Sequence, residues 1–440
     1  MLLRLIFTTF PALYKGGLWF RNHLSLFGIT VFYCSLLAGI IGLDAKSNLS
    51  SMIFSLGFST ILLSTLFCFF FRPKVKAKRQ LPEFVTVDDE FTYTIMLDNT
   101  SSSALDGLWV CDIFEQPFPS YEEFKNAFSP SNLSSNSFDK TVGYYKWVWV
   151  LRYLRGGDSI RTEVSSLRGD NILKLKLTPV RRGIITMTEI KLFRPDPFGL
   201  CFATSSISCT DSILVLPKRY EVPNISLPGA SPLHQPGGVP FSSSVGESDD
   251  FSSLREYRSG DSFRGIHWKS WAKTGKPIVK ETHPEFFIRN ALVLDTLVST
   301  EQHESFEEAV SVATSFICTI DTQESLLDLI FVGDKPYNFT TGRGLSSPAS
   351  MLKILACAQT APDKEFESLA CSVIKNSSQF SGCILILCSF DDQRKALYNK
   401  LLHAKIKLIT LIVSNSKIEN LPPDVIQLTP GNIQEGLNNL

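Results

Sequence analysis

The sequence of 440 residues lacks the motifs of the common phosphate-handling and hydrolytic enzymes. It contains no G-x-x-x-x-G-K-[ST] nucleotide loop, no G-x-S-x-G nucleophile turn and no H-E-x-x-H zinc motif. Net charge is also absent, because 43 basic residues balance 43 acidic ones, and this composition gives no indication of a nucleic-acid partner. These absences exclude a P-loop ATPase and favour a protein that is not an enzyme.

The cysteines follow no metal-binding or disulfide pattern. There are ten of them, but no C-x-x-C occurs and most lie within apolar runs. We therefore expect reduced thiols buried in the folded chain. Cys201 and Cys209 would form a disulfide only in an oxidising compartment, which would argue against a cytoplasmic location.

Two apolar runs near the amino terminus predict a membrane anchor. Residues 24–43 and 52–71 contain no charged side chain, and each run is 20 residues long. A helix of that length spans about 30 Å, the thickness of a bilayer core. Basic residues flank the pair on both outer sides, whereas the connecting loop carries only Asp44 and Lys46. The positive-inside rule then predicts a transmembrane hairpin at 24–71 and a cytoplasmic segment at 1–23. The expected location is the bacterial inner (cytoplasmic) membrane, with a multi-pass topology and soluble domains facing the cytoplasm.

The remaining sequence predicts two folded domains joined by a linker. Short strands with alternating apolar residues, including the run Tyr144–Tyr153, indicate an antiparallel, immunoglobulin-like β-sandwich at 82–217. Residues 218–289 form a linker rich in Pro, Gly and Ser and then a highly charged segment. Strands alternating with amphipathic helices at 290–440 predict a Rossmann-like α/β domain with a mostly parallel sheet. The predicted class is a multidomain membrane protein.

The segment from Leu254 to Glu281 combines many charges with two tryptophans and has no clean periodicity. We expect it to act as a structural clasp between the sandwich and the α/β domain. A clasp would bury Trp268 and Trp271, and Asp261 would pair with Arg264 one helical turn away. The alternatives are docking of an acidic partner or anionic lipid headgroups, since Arg and Trp are enriched at binding hot spots, and catalysis.

This segment resembles the bacterial family called domain of unknown function 58. The resemblance rests on the pattern R-x-Y-x-x-G-D-x-x-R-x-I-x-W-x-x-x-A-K and on a D-P-F-G-L phrase at residues 196–200. The phrase alone indicates a tight turn between strands. The residues predicted to be partner-binding or structural are Arg255, Tyr257, Gly260, Asp261, Arg264, Trp268 and Lys273.

The resemblance implies that residues 290–440 form a von Willebrand factor A-like domain. Such a domain holds Mg²⁺ with a D-x-S-x-S motif, a Thr from a second loop and an Asp from a third. The corresponding residues are Asp295, Ser299, Thr341 and Asp391. Leu297 stands where the first Ser would be and offers no oxygen ligand. We therefore expect a degenerate site and no cofactor, with Mg²⁺ binding as the alternative.

The resemblance also implies association with a MoxR-type AAA+ ATPase. The functional hypothesis is a membrane-anchored scaffold or adaptor that works with such an ATPase and other envelope proteins in envelope assembly or maturation. One alternative is a metal-dependent enzyme or metal-mediated ligand binder at Asp295, Ser299 and Asp391. Another is a mechanical envelope protein without an ATPase partner.

Overall fold

The structure is a computed structural model that folds into two compact units. The first comprises Met1–Lys218 with Leu355–Cys357, and the second comprises Arg219–Ile354 with Ala358–Leu440. The structure describes residues 2–42, 48–101, 104–127, 143–167, 169–223, 245–259, 261, 263–286, 288–299, 302–320, 325–342, 347–418, 421–438 and 440.

The first unit begins with three helices: α1 (Leu2–His23), α2 (Leu26–Ile41) and α3 (Asn48–Phe69). Among the described residues, one helix is long and apolar enough to cross a membrane: Leu49–Phe69 has a mean hydropathy of 2.0, and 6% of its most apolar stretch is buried. The 16 residues of α2 span about 24 Å, less than a bilayer core of about 30 Å. The predicted two-helix transmembrane hairpin is therefore not confirmed, whereas a single apolar helix is compatible with a membrane anchor.

Eight strands form the β-sandwich of the first unit. One sheet has the order β1-β3-β6 and the other has the order β2-β8-β7-β4-β5, with all pairs antiparallel except β2–β8. Alternate side chains of both sheets meet in one hydrophobic core. The strands are β1 (Val75–Gln80), β2 (Phe84–Thr86), β3 (Phe91–Asn99), β4 (Leu105–Phe114), β5 (Arg161–Leu167), β6 (Asp170–Leu177), β7 (Gly183–Pro195) and β8 (Phe202–Leu216).

A buried ion pair joins the two sheets of the sandwich. The guanidinium of Arg79 on β1 donates from Nε and Nη2 to the carboxylate of Asp112 on β4, at 2.9 and 2.7 Å. The hydroxyl of Tyr93 on β3 donates to the same carboxylate at 2.9 Å. Burial raises the pKa of the Asp112 carboxyl, although Arg79 opposes this shift. The network fixes how the sheets align, because each charge lies on a different sheet.

The predicted strand at Tyr144–Tyr153 is wrong, because the segment forms helix α5 (Tyr144–Arg155). Left-handed glycines bound this helix, Gly143 before it and Gly156 after it. Its buried residues, Trp147, Val150 and Leu151, recur at helical spacing, although the Val and aromatic content is typical of strands. A short helix, α4 (Tyr121–Asn126), precedes α5. Helix α1 packs on both through Phe10, so residues 1–23 belong to a folded helical cluster.

The second unit contains a two-stranded ribbon and a six-stranded α/β sheet. The sheet order is β13-β12-β11-β14-β15-β16, parallel except for the edge strand β13. The elements from residue 245 onward are β9 (Val245–Glu256), α6 (Trp268–Thr274), β10 (Ile278–Phe286), β11 (Ile288–Leu294), α7 (His303–Thr319), β12 (Ser325–Val332), β13 (Pro336–Thr341), α8 (Pro348–Cys357), α9 (Phe366–Asn376), β14 (Gly382–Leu387), α10 (Asp392–His403), β15 (Lys407–Val413), β16 (Val425–Leu428) and α11 (Ile433–Leu437). The last residues of α8, Leu355–Cys357, belong to the first unit.

Candidate functional site

The order of strands locates a crevice at the carboxyl end of the α/β sheet. Along the chain, β11 lies centrally, β12 and β13 add on one side, and β14 to β16 add on the other. The order reverses between β11 and β14, and ligands of open α/β sheets bind at such a switch point. Asp295 follows β11 there, and Asp391 caps the amino end of α10 after β14.

Arg394 joins the two acidic residues of this crevice. Its Nε donates to Asp295 Oδ2 at 2.6 Å, and its Nη1 donates to Asp391 Oδ2 at 2.5 Å. Its Nη2 donates to the backbone carbonyl of Leu297 at 2.9 Å. The ring of Phe366 lies beneath the guanidinium, with its centroid 4.7 Å from Cζ, a distance typical of cation–π contact. The guanidinium plane is thus fixed by hydrogen bonds along its edge and by the Phe366 ring on its face.

The charges of the crevice are mutually compensated. Asp295 is fully buried, and this burial raises the pKa of its carboxyl, whereas the neighbouring guanidinium lowers it. Although burial alone lowers the pKa of Arg394, the carboxylates of Asp295 and Asp391 raise it above its usual value. The backbone N–H of Leu297 donates to the other oxygen, Asp295 Oδ1, at 3.1 Å. Both carboxylate oxygens of Asp295 therefore accept hydrogen bonds within the chain.

The structure does not bring all four predicted metal ligands together. Thr341 pairs across the sheet with Leu327, and Leu327 pairs with Asn290. Asn290 lies five residues before Asp295 on the same chain segment, which corresponds to about 16 Å along a strand. Thr341 is therefore near the amino end of β11, and the prediction that it shares a site with Asp295 is wrong. Ser299 lies in the segment after β11, with its side chain exposed.

These residues do not fit a divalent ion. Mg²⁺ requires six oxygen ligands at about 2.0–2.1 Å in near-octahedral geometry. The Asp295 carboxylate is already engaged by Arg394, Leu297 supplies no side-chain oxygen, and Thr341 lies at the other end of the strand. Arg394 is the residue of this crevice that the sequence analysis missed. Arg394 lies in the first turn of α10, where a positive charge is disfavoured by the helix dipole. This unfavourable placement could have indicated from the sequence that Arg394 pairs with a nearby carboxylate.

The charged segment identified in the sequence forms a ribbon with a short helix at its tip. Strands β9 and β10 pair antiparallel, with Val279 opposite Arg255. Between them, a 3₁₀ turn at Phe263–Gly265 leads into α6, and Gly275 ends that helix with a φ of 73°. Ile266 forms a bridge with Val279, and both are buried. We call residues 253–280 the signature ribbon.

Asp261 of the signature ribbon is paired with Arg255. Asp261 accepts two hydrogen bonds from the Arg255 guanidinium, at 2.7 and 2.8 Å, and one from the backbone N–H of Arg258 at 2.8 Å. These bonds lower the pKa of the Asp261 carboxyl to about 2. Asp261 lies outside any helix, and the predicted pairing of Asp261 with Arg264 stays a prediction. Gly260 and the Arg264 side chain lie outside the described residues.

The tryptophans of the signature ribbon are not buried as a clasp requires. Helix α6 has no buried residue, and Trp268 is 65% exposed with its ring stacked on Trp271 at a centroid distance of 5.3 Å. Phe263, which is 73% exposed, stacks on Tyr257 at 5.8 Å. Lys273 is exposed on the same helix. The expectation that Trp268 buries its ring is therefore wrong, and Trp271 is only half-buried.

The D-P-F-G-L turn does more than connect β7 to β8. The Asp196 carboxylate accepts a hydrogen bond from the hydroxyl of Ser64 on α3 and also caps its own turn. The backbone N–H and hydroxyl of Ser25, which begins α2, donate to the carbonyls of Leu200 and Gly199 at 2.9 and 2.6 Å. The turn therefore holds both apolar helices on the sandwich. Cys201, which follows it, and Cys209 are free thiols, so the disulfide considered for them is absent.

The second unit is an open α/β fold. Its crevice at the switch point is occupied by the Arg394 guanidinium, and a ribbon with two exposed aromatic rings precedes the sheet. Residues 253–429 match the family described as "Protein of unknown function DUF58". The chain is also 26% identical over 196 residues to "Uncharacterized protein YeaD" of Bacillus subtilis (strain 168), an alignment that covers 42% of this chain and 45% of that protein. The chain thus spans less than half the length of this curated relative. Both findings support the resemblance to the domain of unknown function 58 family.

Solved structures resemble parts of the chain only weakly. The CARDB domain of a Pyrococcus furiosus protein, described in complex with di-metal ions, has 10% identity and a TM-score of 0.17, and it matches 33% of this chain and 89% of the domain. A cohesin module from a Clostridium perfringens ATCC13124 family 33 glycoside hydrolase has 11% identity and a TM-score of 0.18, with 33% and 98% coverage.

Proposed function

We propose that this protein is a membrane-anchored scaffold or adaptor that presents the signature ribbon to a partner protein. The observation that carries the proposal is the exposure of two aromatic rings on the ribbon, Trp268 and Phe263. Each is stacked on a partly buried ring, Trp268 on Trp271 and Phe263 on Tyr257. Exposed rings of this size cost free energy in water unless a partner covers them. Tyr257 and Trp268 are also defined positions of the motif that carries the family resemblance.

The resemblance suggests the partner and the setting. A MoxR-type AAA+ ATPase is the proposed partner, and assembly or maturation of other envelope proteins is the proposed process. The ribbon exposes three basic side chains, Arg258, Lys269 and Lys273. They are electrostatically complementary to an acidic surface on that partner. Within this proposal, α2 and α3 enter and leave the inner membrane as a hairpin, and the basic residues after α3 keep both units in the cytoplasm. Within this proposal, the α/β sheet is a von Willebrand factor A-like domain.

The alternative function, a metal-dependent enzyme or metal-mediated binder at Asp295, Ser299 and Asp391, is less well supported. Arg394 forms ion pairs with both Asp295 and Asp391. The first Ser position of the D-x-S-x-S motif is occupied by Leu297, which has no side-chain oxygen. A mechanical envelope protein without an ATPase partner remains the third hypothesis, and the binding experiment distinguishes it.

The test is binding of the full-length chain in lipid nanodiscs to the purified MoxR-type ATPase of the same organism, with and without nucleotide. We expect nucleotide-dependent binding that Trp268→Ala abolishes. Leu402→Ala is the matched control, because Leu402 is a large apolar residue exposed on α10 of the same unit. Binding unaffected by Trp268→Ala would refute the ribbon as the docking surface. An absence of binding by the wild-type chain would refute the ATPase partnership and favour the mechanical alternative.

A further inference from the structure

The crevice at the switch point holds two carboxylates that require a positive charge. Asp295 is fully buried between β11 and β14, and Asp391 approaches it from the start of α10. A buried carboxylate without a counter-charge is costly, and the usual counter-charge at such a point is a metal ion or a basic side chain. This chain supplies a basic side chain, Arg394.

Movement of the Arg394 guanidinium out of the crevice would break several contacts. Three of its N–H groups donate to Asp295, to Asp391 and to the carbonyl of Leu297. Its face packs against Phe366, and the residue is 6% exposed. Rigid planar geometry and a permanent charge make arginine suited to this role.

A divalent ion and this guanidinium exclude each other. An ion bound to Asp295 would have to displace the Nε hydrogen bond and would then lie a few ångströms from a like charge. The ligand set is also short of oxygens, since Leu297 occupies one motif position and Thr341 lies at the far end of the sheet. Displacement of the arginine is therefore the condition for metal binding.

We propose that Arg394 is the resident cation of this crevice and takes the place of an exchangeable divalent ion, so that the α/β domain is metal-independent. The crevice is consequently closed to a partner carboxylate, because no coordination position is open. Loss of the guanidinium would uncover a latent site at which Asp295 and Asp391 bind a divalent cation.

The test is direct Mn²⁺ binding, measured from the electron paramagnetic resonance signal of free Mn²⁺, with the full-length chain in nanodiscs of neutral lipid. The wild type is compared with Arg394→Gln, with Arg394→Lys, which retains the charge, and with Arg394→Gln combined with Asp295→Asn. We expect no site in the wild type or in Arg394→Lys. We expect one Mn²⁺ per chain in Arg394→Gln, and its loss in the double variant.

Each result bears on the proposal. One Mn²⁺ bound by the wild type and lost in Asp391→Asn would overturn it, and this comparison does not require any Arg394 variant to fold, because Asp391 is half-exposed. A folded Arg394→Gln chain that binds no Mn²⁺ would also overturn it. An Arg394→Gln chain that folds only when Mn²⁺ is present would support it, since the ion would then replace the lost charge.

Discussion

Replacement of Trp268 by alanine separates a structural role of the signature ribbon from a docking role. The side chain is 65% exposed, so roughly a third of its surface is covered. A buried tryptophan covers about 150–250 Å², and a third of this area at about 25 cal/mol per Å² gives roughly 1–2 kcal/mol. This is an upper estimate, because unfolded chains already bury some apolar surface. We expect Trp268→Ala to lower the unfolding free energy of the second unit by about 1 kcal/mol.

Trp147 provides the reference for a buried tryptophan in the same chain. It is 0% exposed in the helical cluster of the first unit and lies edge-on to Phe10 at a centroid distance of 5.9 Å. Truncation of such a ring costs about 3–5 kcal/mol. Native-state hydrogen exchange reports the opening free energy of each region separately, so both variants can be compared in the full-length chain. A cost of 3 kcal/mol or more for Trp268→Ala would refute the exposed placement and restore the clasp.

The same variant should affect binding far more than it affects stability. If Trp268 is an interface hot spot, its truncation costs at least about 2 kcal/mol of binding free energy, which corresponds to roughly 30-fold in Kd. Calorimetric titration with the proposed ATPase measures this change. A stable Trp268→Ala chain with wild-type affinity would exclude both roles for the ring.

Three further predictions concern the anchor, the sandwich and the ribbon. Gly28→Ala should destabilise the first unit by about 1–3 kcal/mol, because the added Cβ would meet the backbone carbonyl of Leu200 in the D-P-F-G-L turn. Gly16→Ala is the control: its Cβ would lie in open space, and the change should stabilise α1 by up to about 1 kcal/mol. Thermal unfolding measures both variants. Asp112→Ala should cost about 3–5 kcal/mol in denaturant unfolding, because it leaves the buried Arg79 with Asp211 as its remaining ion-pair partner, and replacement of both Arg79 and Asp112 by leucine should cost much less. The pKa of Asp261 is lowered to about 2, so its stabilising effect on the ribbon is present above about pH 4 and lost as the pH falls towards 2. Tryptophan fluorescence should follow this loss in the wild type but not in Asp261→Asn.

The buried strands of the α/β sheet could be predicted from the sequence because they are continuous apolar runs. Strand β14 (Gly382–Leu387) is buried at every position, as a parallel strand covered on both faces requires. The edge strand β13 (Pro336–Thr341) has a mixed pattern of buried and exposed residues, which the sequence alone does not distinguish from a loop. Its placement depends on pairing with β12, which no local pattern encodes. That pairing is also what separates Thr341 from the crevice.

Local secondary-structure propensity gives the wrong prediction where tertiary packing determines the structure. The aromatic and Val content of Tyr144–Arg155 favours a strand, but burial of Trp147 against α1 requires the helical face. Within the ribbon, sequence spacing suggested Arg264 as the partner of Asp261. The structure pairs Asp261 with Arg255, six residues earlier in the chain, and this contact depends on backbone direction rather than on helical spacing.

The closed crevice and the exposed ribbon together determine how any effect of Mg²⁺ on a complex of this protein should be interpreted. A guanidinium that is part of the chain cannot exchange with solvent ions, so the occupancy of the crevice is constant at all Mg²⁺ concentrations. In the ribbon, both oxygens of the Asp261 carboxylate already accept hydrogen bonds from the Arg255 guanidinium. If an ATPase binds the ribbon, dependence of that binding on Mg²⁺ would therefore originate in the nucleotide site of the ATPase. Chelation should then have the same effect on wild-type and Asp391→Asn chains, and a difference between them would locate the ion in the crevice instead.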